Sequence, residues 1–331
     1  YETLLTVVAF LNPLMIVAML LAARRLAAPT MRVGCYLGLG LVLLLISRVG
    51  LIALIQNQPQ VTVAFLTVLA IERAENGSPR LGGVLLALAA AIKLYPAIYA
   101  LFWLAGGQKR AAASFALVGG AIGLLSVAVA GWPLHLAFLH MIRVISDTAM
   151  VTPVNYALES TLAHSFYLDQ LTMVLTPRID PSAARGAAWT VLAKPVPLAI
   201  AMKLMQVGVV LWLMVLFRKA RDRQDRAALW PFAFGLFTLV GPIAWCYHYL
   251  SSVAFAPMLV QRLRPWPSAL LLLVFAVVTS PFTLSLFDIA KVTQMISLGL
   301  QTTGTLAIVL LLVAFYAVRH VRPPLTARDA P

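Results

Sequence analysis

The residue best placed to do chemistry is Lys93, which lies inside the apolar stretch Ala-Ala-Ala-Ile-Lys-Leu-Tyr-Pro. A charged ammonium among apolar residues is costly unless it faces a cavity or an anion. Pro96 disfavours helical backbone at Tyr95, so a helix is predicted to end near Lys93. These features indicate a lysine that contacts an anionic ligand, and a structural lysine that reaches water is the alternative.

Two further polar clusters break apolar stretches. Gln56, Asn57 and Gln58 offer hydrogen-bond donors and acceptors together, which suits a ligand rich in hydroxyl groups, although an ordinary polar loop explains them equally well. The segment Trp-Cys-Tyr-His-Tyr places His248 among aromatic rings, whose faces suit sugar rings or lipid headgroups. A histidine there can donate to a phosphate or move a proton, and an interfacial belt of aromatic residues is the alternative.

The sequence does not contain the residue patterns of other common active sites. The acidic residues do not suggest an acid and base pair. Cys35 and Cys246 stand too far apart in sequence to indicate a zinc site or a disulfide framework. The sequence has no motif for nucleotide binding or for a serine nucleophile. Neither a metal nor a cofactor is therefore expected.

The composition indicates that membrane helices position these clusters. The chain has 331 residues, of which 62% are hydrophobic and 11% are charged, whereas soluble domains are about 45–50% apolar and about 25% charged. Stretches of about 20 apolar residues suit helices that cross a bilayer. The sequence therefore predicts an all-α, polytopic transmembrane protein whose residues 1–331 form a single transmembrane domain among membrane lipids.

The net charge of +14 comes largely from basic residues at the ends of apolar stretches. Such clusters face the cytoplasm in membrane proteins, so nucleic acid is not an expected partner. The apolar spans fall at about 3–23, 112–130, 197–217 and 298–318, and residues 319–331 are predicted to be a cytoplasmic tail. The polar clusters then lie on the extracytoplasmic (periplasmic) side, where they are predicted to share one cavity.

Two stretches between basic clusters are too short for two crossings. Arg80 to Lys109 and Arg226 to Arg262 each leave fewer residues than the roughly 40 that two spans need. Short or broken helices that meet at a cavity are predicted for both, with an ordinary kinked span as the alternative. Residues 131–196 are predicted to form an extracytoplasmic loop region that opens with an interfacial helix and continues as loops and short helices.

The stretch from Gly82 to Pro96, the amide turn and the segment around His248 together resemble glycosyltransferase family 87, of the GT-C superfamily, over about residues 1–285. Lys93 and Pro96 match the family's Lys-x-x-Pro element. The resemblance implies an integral membrane enzyme that transfers a hexose or pentose. Its donor would be a polyprenyl-phosphate sugar, and its acceptor a lipid or glycan on the extracytoplasmic face.

The resemblance and the residue chemistry together give roles. Lys93 and His248 are predicted to be catalytic, because cations near a phosphate stabilise it as it leaves. Substrate contacts are predicted for six residues: Gln56, Asn57, Gln58, Tyr95, Trp245 and Tyr247. The family's catalytic aspartate lies in its first outer loop, so the base is expected upstream of Tyr1. The family's Asn-Gln-Ser-Leu element is represented only by Asn155 or by residues 159–162.

Two other functions fit parts of the sequence. A non-catalytic membrane subunit derived from such an enzyme would also lack the base. A transporter would also use broken helices and a buried lysine. The leading hypothesis is a glycosyltransferase in a bacterial inner membrane, with its active side extracytoplasmic.

Overall fold

The computed structural model describes residues 2–57, 59–175, 188–283 and 294–321, and these are predominantly helical. The α-helices are α1 Glu2–Ala27, α2 Val33–Ile46, α3 Arg48–Ile55, α4 Gln60–Glu75, α5 Pro79–Ile92, α6 Tyr99–Ala105, α7 Lys109–Ala130, α8 Trp132–Ser146, α9 Leu158–Phe166, α10 Val196–Lys219, α11 Arg223–Leu239, α12 Leu250–Val253, α13 Met258–Arg262, α14 Pro265–Val278 and α15 Gln294–Val318. Single 3₁₀ turns cover Tyr95–Ile98, Leu168–Gln170 and Cys246–Tyr249. The strands are β1 Thr148–Val151, β2 Thr172–Leu175 and β3 Ala188–Ala193.

Four helical stretches in the described residues are long and apolar enough to cross a membrane: Thr6–Ala27, Lys109–Ala130, Val196–Lys219 and Gln301–Val318. Helices α2 and α3 pass the same test as a pair, but they meet at a bend of 70°. These spans coincide with the apolar stretches of the sequence, and α7 leaves most of its apolar side chains exposed, as a helix in contact with lipid would. The prediction of a polytopic helical membrane protein is confirmed.

The two stretches that are too short for two crossings, Arg80 to Lys109 and Arg226 to Arg262, form short helices. Helix α5 ends at Ile92, Lys93 has extended backbone, and the 3₁₀ turn leads into α6. Pro79, at the start of α5, and Gly107, just after α6, line the same cavity, so the stretch turns back on itself. After α11 the chain breaks at Gly241 and Pro242 and continues through a 3₁₀ turn and two helices of four and five residues. The predicted short helices are confirmed in both places.

The region after α7 contains one feature that the sequence did not predict. Helix α8 forms as expected and has no buried residue. Beyond it, where loops and short helices were predicted, a small antiparallel sheet forms with strand order β1-β3-β2. Thr148 pairs with Ala193 and Thr172 with Val191. Strands this short acquire stability only from pairing and from one packed face, which local sequence reveals poorly.

A buried ion pair joins this sheet to α9. Lys194 Nζ, directly after β3, lies 2.7 Å from Glu159 Oε1, and the two side chains are 3% and 0% exposed. Lys194 Nζ also donates to the carbonyl of Ser146, at the end of α8. Burial raises the pKa of the Glu159 carboxyl to about 7, and the Lys194 ammonium offsets part of that shift. The pair therefore holds α8, α9 and the sheet together.

Arg48 fixes the junction between α2 and α3 and is fully buried. Its backbone N–H donates to Thr279 O (2.7 Å), and its Nε, Nη1 and Nη2 donate to the carbonyls of Thr279 (3.2 Å), Pro153 (2.9 Å) and Val278 (3.3 Å). The guanidinium also lies 5.7 Å from the centre of the Tyr156 ring. One side chain thus joins α3, the end of α14 and the loop before α9.

Two adjacent glycines let α5 pack between α4 and α7. A Cβ on Gly82 would lie 2.6 Å from the carbonyl oxygen of Ala70 on α4. A Cβ on Gly83 would lie 2.5 Å from the carbonyl oxygen of Ala111 and 2.6 Å from Ser114 Cβ on α7. Real side chains do not approach backbone this closely, so both positions require glycine.

Replacing Arg48 should destabilise the fold. Arg48→Met removes the guanidinium that donates to the carbonyls of Pro153 and Val278, while Thr279 O keeps its bond from the backbone N–H of residue 48. Each unsatisfied buried group costs about 1–3 kcal/mol. We expect a clearly lower midpoint in thermal unfolding of the purified protein in detergent. Arg32→Met, which removes an exposed arginine, should change the midpoint little. Equal midpoints for the two variants would contradict the structural role of Arg48.

Gly83→Ala and Gly120→Ala should have opposite effects on stability. Alanine at Gly83 forces α5 and α7 apart, and overpacking of this kind costs about 1–3 kcal/mol. Gly120, on α7, has open space around its Cβ position, so alanine there should be neutral or stabilise the helix by up to about 1 kcal/mol. Thermal unfolding in the same detergent measures both. A loss at Gly120 as large as at Gly83 would refute the close packing.

Candidate functional site

Lys93 and His248 lie beside the same aromatic rings. Lys93 Nζ is 5.4 Å from the centre of the Tyr247 ring, and the His248 ring is 5.0 Å from that ring, edge to face. Both side chains are partly exposed. Residues 155 positions apart in the chain therefore meet at one place.

Breaks in helices create this arrangement. Lys93 caps the C-terminus of α5 with extended backbone, which turns its side chain out of the helix before Pro96 begins the next turn. His248 lies in the 3₁₀ turn Cys246–Tyr249, and its N–H donates to Trp245 O (2.8 Å). Both side chains thus come from short, irregular segments between helices. Non-helical backbone at membrane depth is tolerated if it is buried in protein or faces a cavity.

Tyr95 connects this pair to α4. Its ring centre is 6.1 Å from that of His248, and its hydroxyl accepts a hydrogen bond of 2.7 Å from Gln60 Nε2. Gln60 is the first residue of α4 and is fully buried. The hydrogen bond fixes Tyr95, whose ring contacts the ring of His248.

The amide turn lies next to Gln60 in the chain. Asn57 has a positive φ of 47°, and its Oδ1 accepts a hydrogen bond of 2.7 Å from Asn12 Nδ2 on α1. The side chain of Gln56 is exposed at the end of α3, and α3 packs against the turn that carries His248. Gln58 lies outside the described residues. The structure therefore places Gln56 at the end of a helix that packs against the turn of His248, and it joins Asn57 to α1.

Trp245 packs against the small sheet. Its ring lies 6.4 Å from that of Tyr247, nearly parallel, and 5.8 Å from that of Trp189 on β3. Trp245 also forms an antiparallel bridge with Asn155. Aromatic faces therefore continue from the Lys93 and His248 pair to the sheet.

Asn155 holds the aromatic segment in place. Its Oδ1 accepts from the backbone N–H of Ala244 (2.9 Å), while its Nδ2 donates to Met150 O (2.7 Å) on β1. Two backbone hydrogen bonds reinforce the contact, from Tyr156 N to Ala244 O and from Cys246 N to Val154 O, each 2.8 Å. The position of His248 therefore depends on the loop before α9.

The charges near this site are cationic. Across the described residues, the carboxylates in ion pairs bind other cations: Glu72 with Arg73, Glu75 with Arg226, Asp147 with Arg143, Glu159 with Lys194 and Asp225 with Arg319. No group of His, Cys, Asp and Glu that could hold a metal ion occurs in the described ranges. An ammonium beside an imidazole can bind an anion, and the surrounding rings can pack against a sugar or lipid.

Four residues near the site were not predicted to belong to it: Asn12, Arg48, Gln60 and Trp189. Asn12 and Arg48 are polar residues inside apolar stretches, which is a sequence signal for a buried polar contact. Gln60 follows the predicted amide cluster by two residues. No local sequence pattern predicts that Trp189 lies near the site, because its position depends on how the strands pair.

Comparison with known proteins supports the resemblance found in the sequence. The model for glycosyltransferase family 87 matches residues 1–242, which is most of the 331-residue chain. No curated protein and no solved structure matched. The family match includes Lys93 and the amide turn and ends just before the aromatic segment around His248. The chain therefore belongs to glycosyltransferase family 87, a family of membrane glycosyltransferases.

Proposed function

We propose that this protein transfers a hexose or pentose from a polyprenyl-phosphate donor to a lipid or glycan acceptor on the extracytoplasmic face of a bacterial inner membrane. The observation that carries the proposal is the meeting of Lys93 and His248 beside the Tyr247 ring. A lipid phosphate is an anion that remains at the membrane, and this pair offers it cationic and hydrogen-bonding groups.

The reaction explains the need for a cation. The bond between the anomeric carbon and the phosphate oxygen breaks, and its electron pair stays on the phosphate. Lys93 stabilises the negative charge that grows there, and His248 donates a hydrogen bond to the same group. The acceptor oxygen forms the new bond to the anomeric carbon and gives its proton to a carboxylate base.

The neighbouring groups suit the rest of the substrates. The amides of Gln56 and Asn57 can exchange hydrogen bonds with sugar hydroxyls, and we include Gln58 in the same role. The rings of Tyr95, Tyr247 and Trp245 offer apolar faces to a sugar ring or to the first isoprene units. The Lys93 ammonium supplies the positive charge for the single phosphate in this proposal.

Lys93→Met should abolish most of the transfer activity while the protein still folds. Loss of one group that stabilises developing charge typically costs about 10²–10³-fold in kcat. The assay follows radiolabelled sugar from a polyprenyl-phosphate donor into acceptor lipid, using membranes that contain the protein. Lys203→Met, at an exposed lysine on the membrane helix α10, is the matched control and should retain wild-type turnover.

The outcomes of this assay distinguish a catalytic from a structural Lys93, and an enzyme from a non-catalytic subunit. Equal turnover in Lys93→Met and wild type would make the lysine structural and remove the basis of the proposal. Absence of transfer by the wild-type protein with every donor tested would favour the non-catalytic subunit.

The membrane orientation can be tested with single cysteines. Asp169 follows α9 and Gln224 lies among the basic residues at the start of α11, and both are exposed. In a Cys35→Ser background, Asp169→Cys should react with a membrane-impermeant maleimide added to intact cells. Gln224→Cys should react only after the cells are opened. The reverse pattern would place the candidate site on the cytoplasmic side and refute the proposed orientation.

A further inference from the structure

A pocket lies at the opposite end of α4 from the candidate site. It has a volume of about 510 Å³ and is lined by residues that include Glu75, Gln108, Lys109, Arg110 and Arg226. Helix α4 has 16 residues, so about 24 Å separates this pocket from the Gln60 end. A volume of this size falls within the range of small-molecule sites, about 300–1,000 Å³.

The pocket carries an excess of positive charge. Its one carboxylate, Glu75, is buried and accepts hydrogen bonds from Arg226 Nε (3.1 Å) and Trp230 Nε1 (3.3 Å). Lys109 and Arg110 are exposed at the pocket, and neither forms an ion pair with a carboxylate of the described residues. Two cations therefore remain available after Glu75 and Arg226 neutralise each other.

Two helix N-termini reinforce this charge. Helix α5 has 14 residues and begins at Pro79, and α7 has 22 residues and begins at Lys109; both first residues line the pocket. Neither helix receives a capping hydrogen bond from the side chain before it, Ser78 or Gln108. Uncapped N-terminal N–H groups and the helix dipoles favour an anion at this place.

Gln108 adds a group that suits a hydroxyl. Its side-chain oxygen is buried and accepts no hydrogen bond from the described residues, although the residue lines the pocket. Buried acceptors are normally satisfied, so this oxygen would gain a donor if the Gln108 amide turned toward a ligand in the pocket. A phosphate alone would use the cations, while a phosphate ester with a hydroxylated headgroup would also use Gln108.

We propose that this pocket binds a phosphate group through Lys109, Arg110 and the N-termini of α5 and α7, with an anionic phospholipid headgroup or free phosphate as its source. The site is separate from the candidate catalytic site and does not depend on the proposed reaction. The basic residues around it would place it at the membrane surface that attracts anionic lipid.

The test compares short-chain lipids with free phosphate. Binding of dihexanoyl-phosphatidylglycerol, dihexanoyl-phosphatidylcholine and inorganic phosphate to the purified protein in detergent is measured by calorimetry. We expect phosphatidylglycerol to bind more tightly than phosphatidylcholine. In Lys109→Gln/Arg110→Gln its affinity should fall by about tenfold or more, which corresponds to about 1.4 kcal/mol. Raising the salt concentration should weaken wild-type binding.

The matched control is Arg32→Gln/Arg264→Gln, which removes the same charge from two exposed positions elsewhere. It should bind like the wild type. An equal loss in both double variants, or equal affinity of the wild type for the two lipids and no affinity for phosphate, would overturn the site. Inorganic phosphate that binds as tightly as phosphatidylglycerol would identify free phosphate as the source.

Folding is checked independently, because an unfolded variant would lose binding whether or not the pocket binds phosphate. Each variant is compared by gel filtration and thermal unfolding without ligand. If the double variant unfolds, the exchange Lys109→Arg/Arg110→Lys keeps the charge and should retain binding, while the single variants should each lose part of it. Loss of binding in the charge-conserving exchange alone would overturn the electrostatic basis.

Discussion

The buried guanidinium of Arg48 is the constraint on which the rest of the site depends. A cation in an apolar interior needs compensation, and here backbone carbonyls provide it. Val278 and Thr279 end α14, where carbonyls lack partners within the helix and the dipole is negative. The arginine and the helix end therefore satisfy each other, which fixes α3 against α14 in a single register.

The same junction positions the candidate site. Cys246 Sγ donates to Arg48 O (3.5 Å), and Pro153, a partner of the guanidinium, directly precedes the loop that pairs with the aromatic segment. His248 is thus held by contacts that begin at Arg48. Lys93, in contrast, reaches the site from the end of α5, whose position follows from the close packing at Gly83. Two independent packing constraints bring the cation and the imidazole together.

The charged side chains of the bundle are paired differently at its two ends. At one end, the acids are paired with arginines, as in Glu75 with Arg226 and Asp225 with Arg319. At the other end, Lys93 and His248 lie among aromatic rings, and no described carboxylate forms an ion pair with either. An anionic substrate at the second end would meet the Lys93 ammonium, which no described carboxylate neutralises.

The sequence alone determined the membrane class, the apolar spans, the breaks at Lys93 and at Gly241-Pro242, and the polar clusters, because composition and local backbone preference decide these features. It also revealed the family through the Lys-x-x-Pro element. Only the tertiary structure decided the partners of Arg48, the hydrogen bond from Gln60 to Tyr95 and the small sheet that carries Trp189. Arg48 contacts residues more than 100 positions away, and β3 pairs with a strand on each side. Such contacts depend on which surfaces meet when the whole chain packs, and no local pattern encodes them.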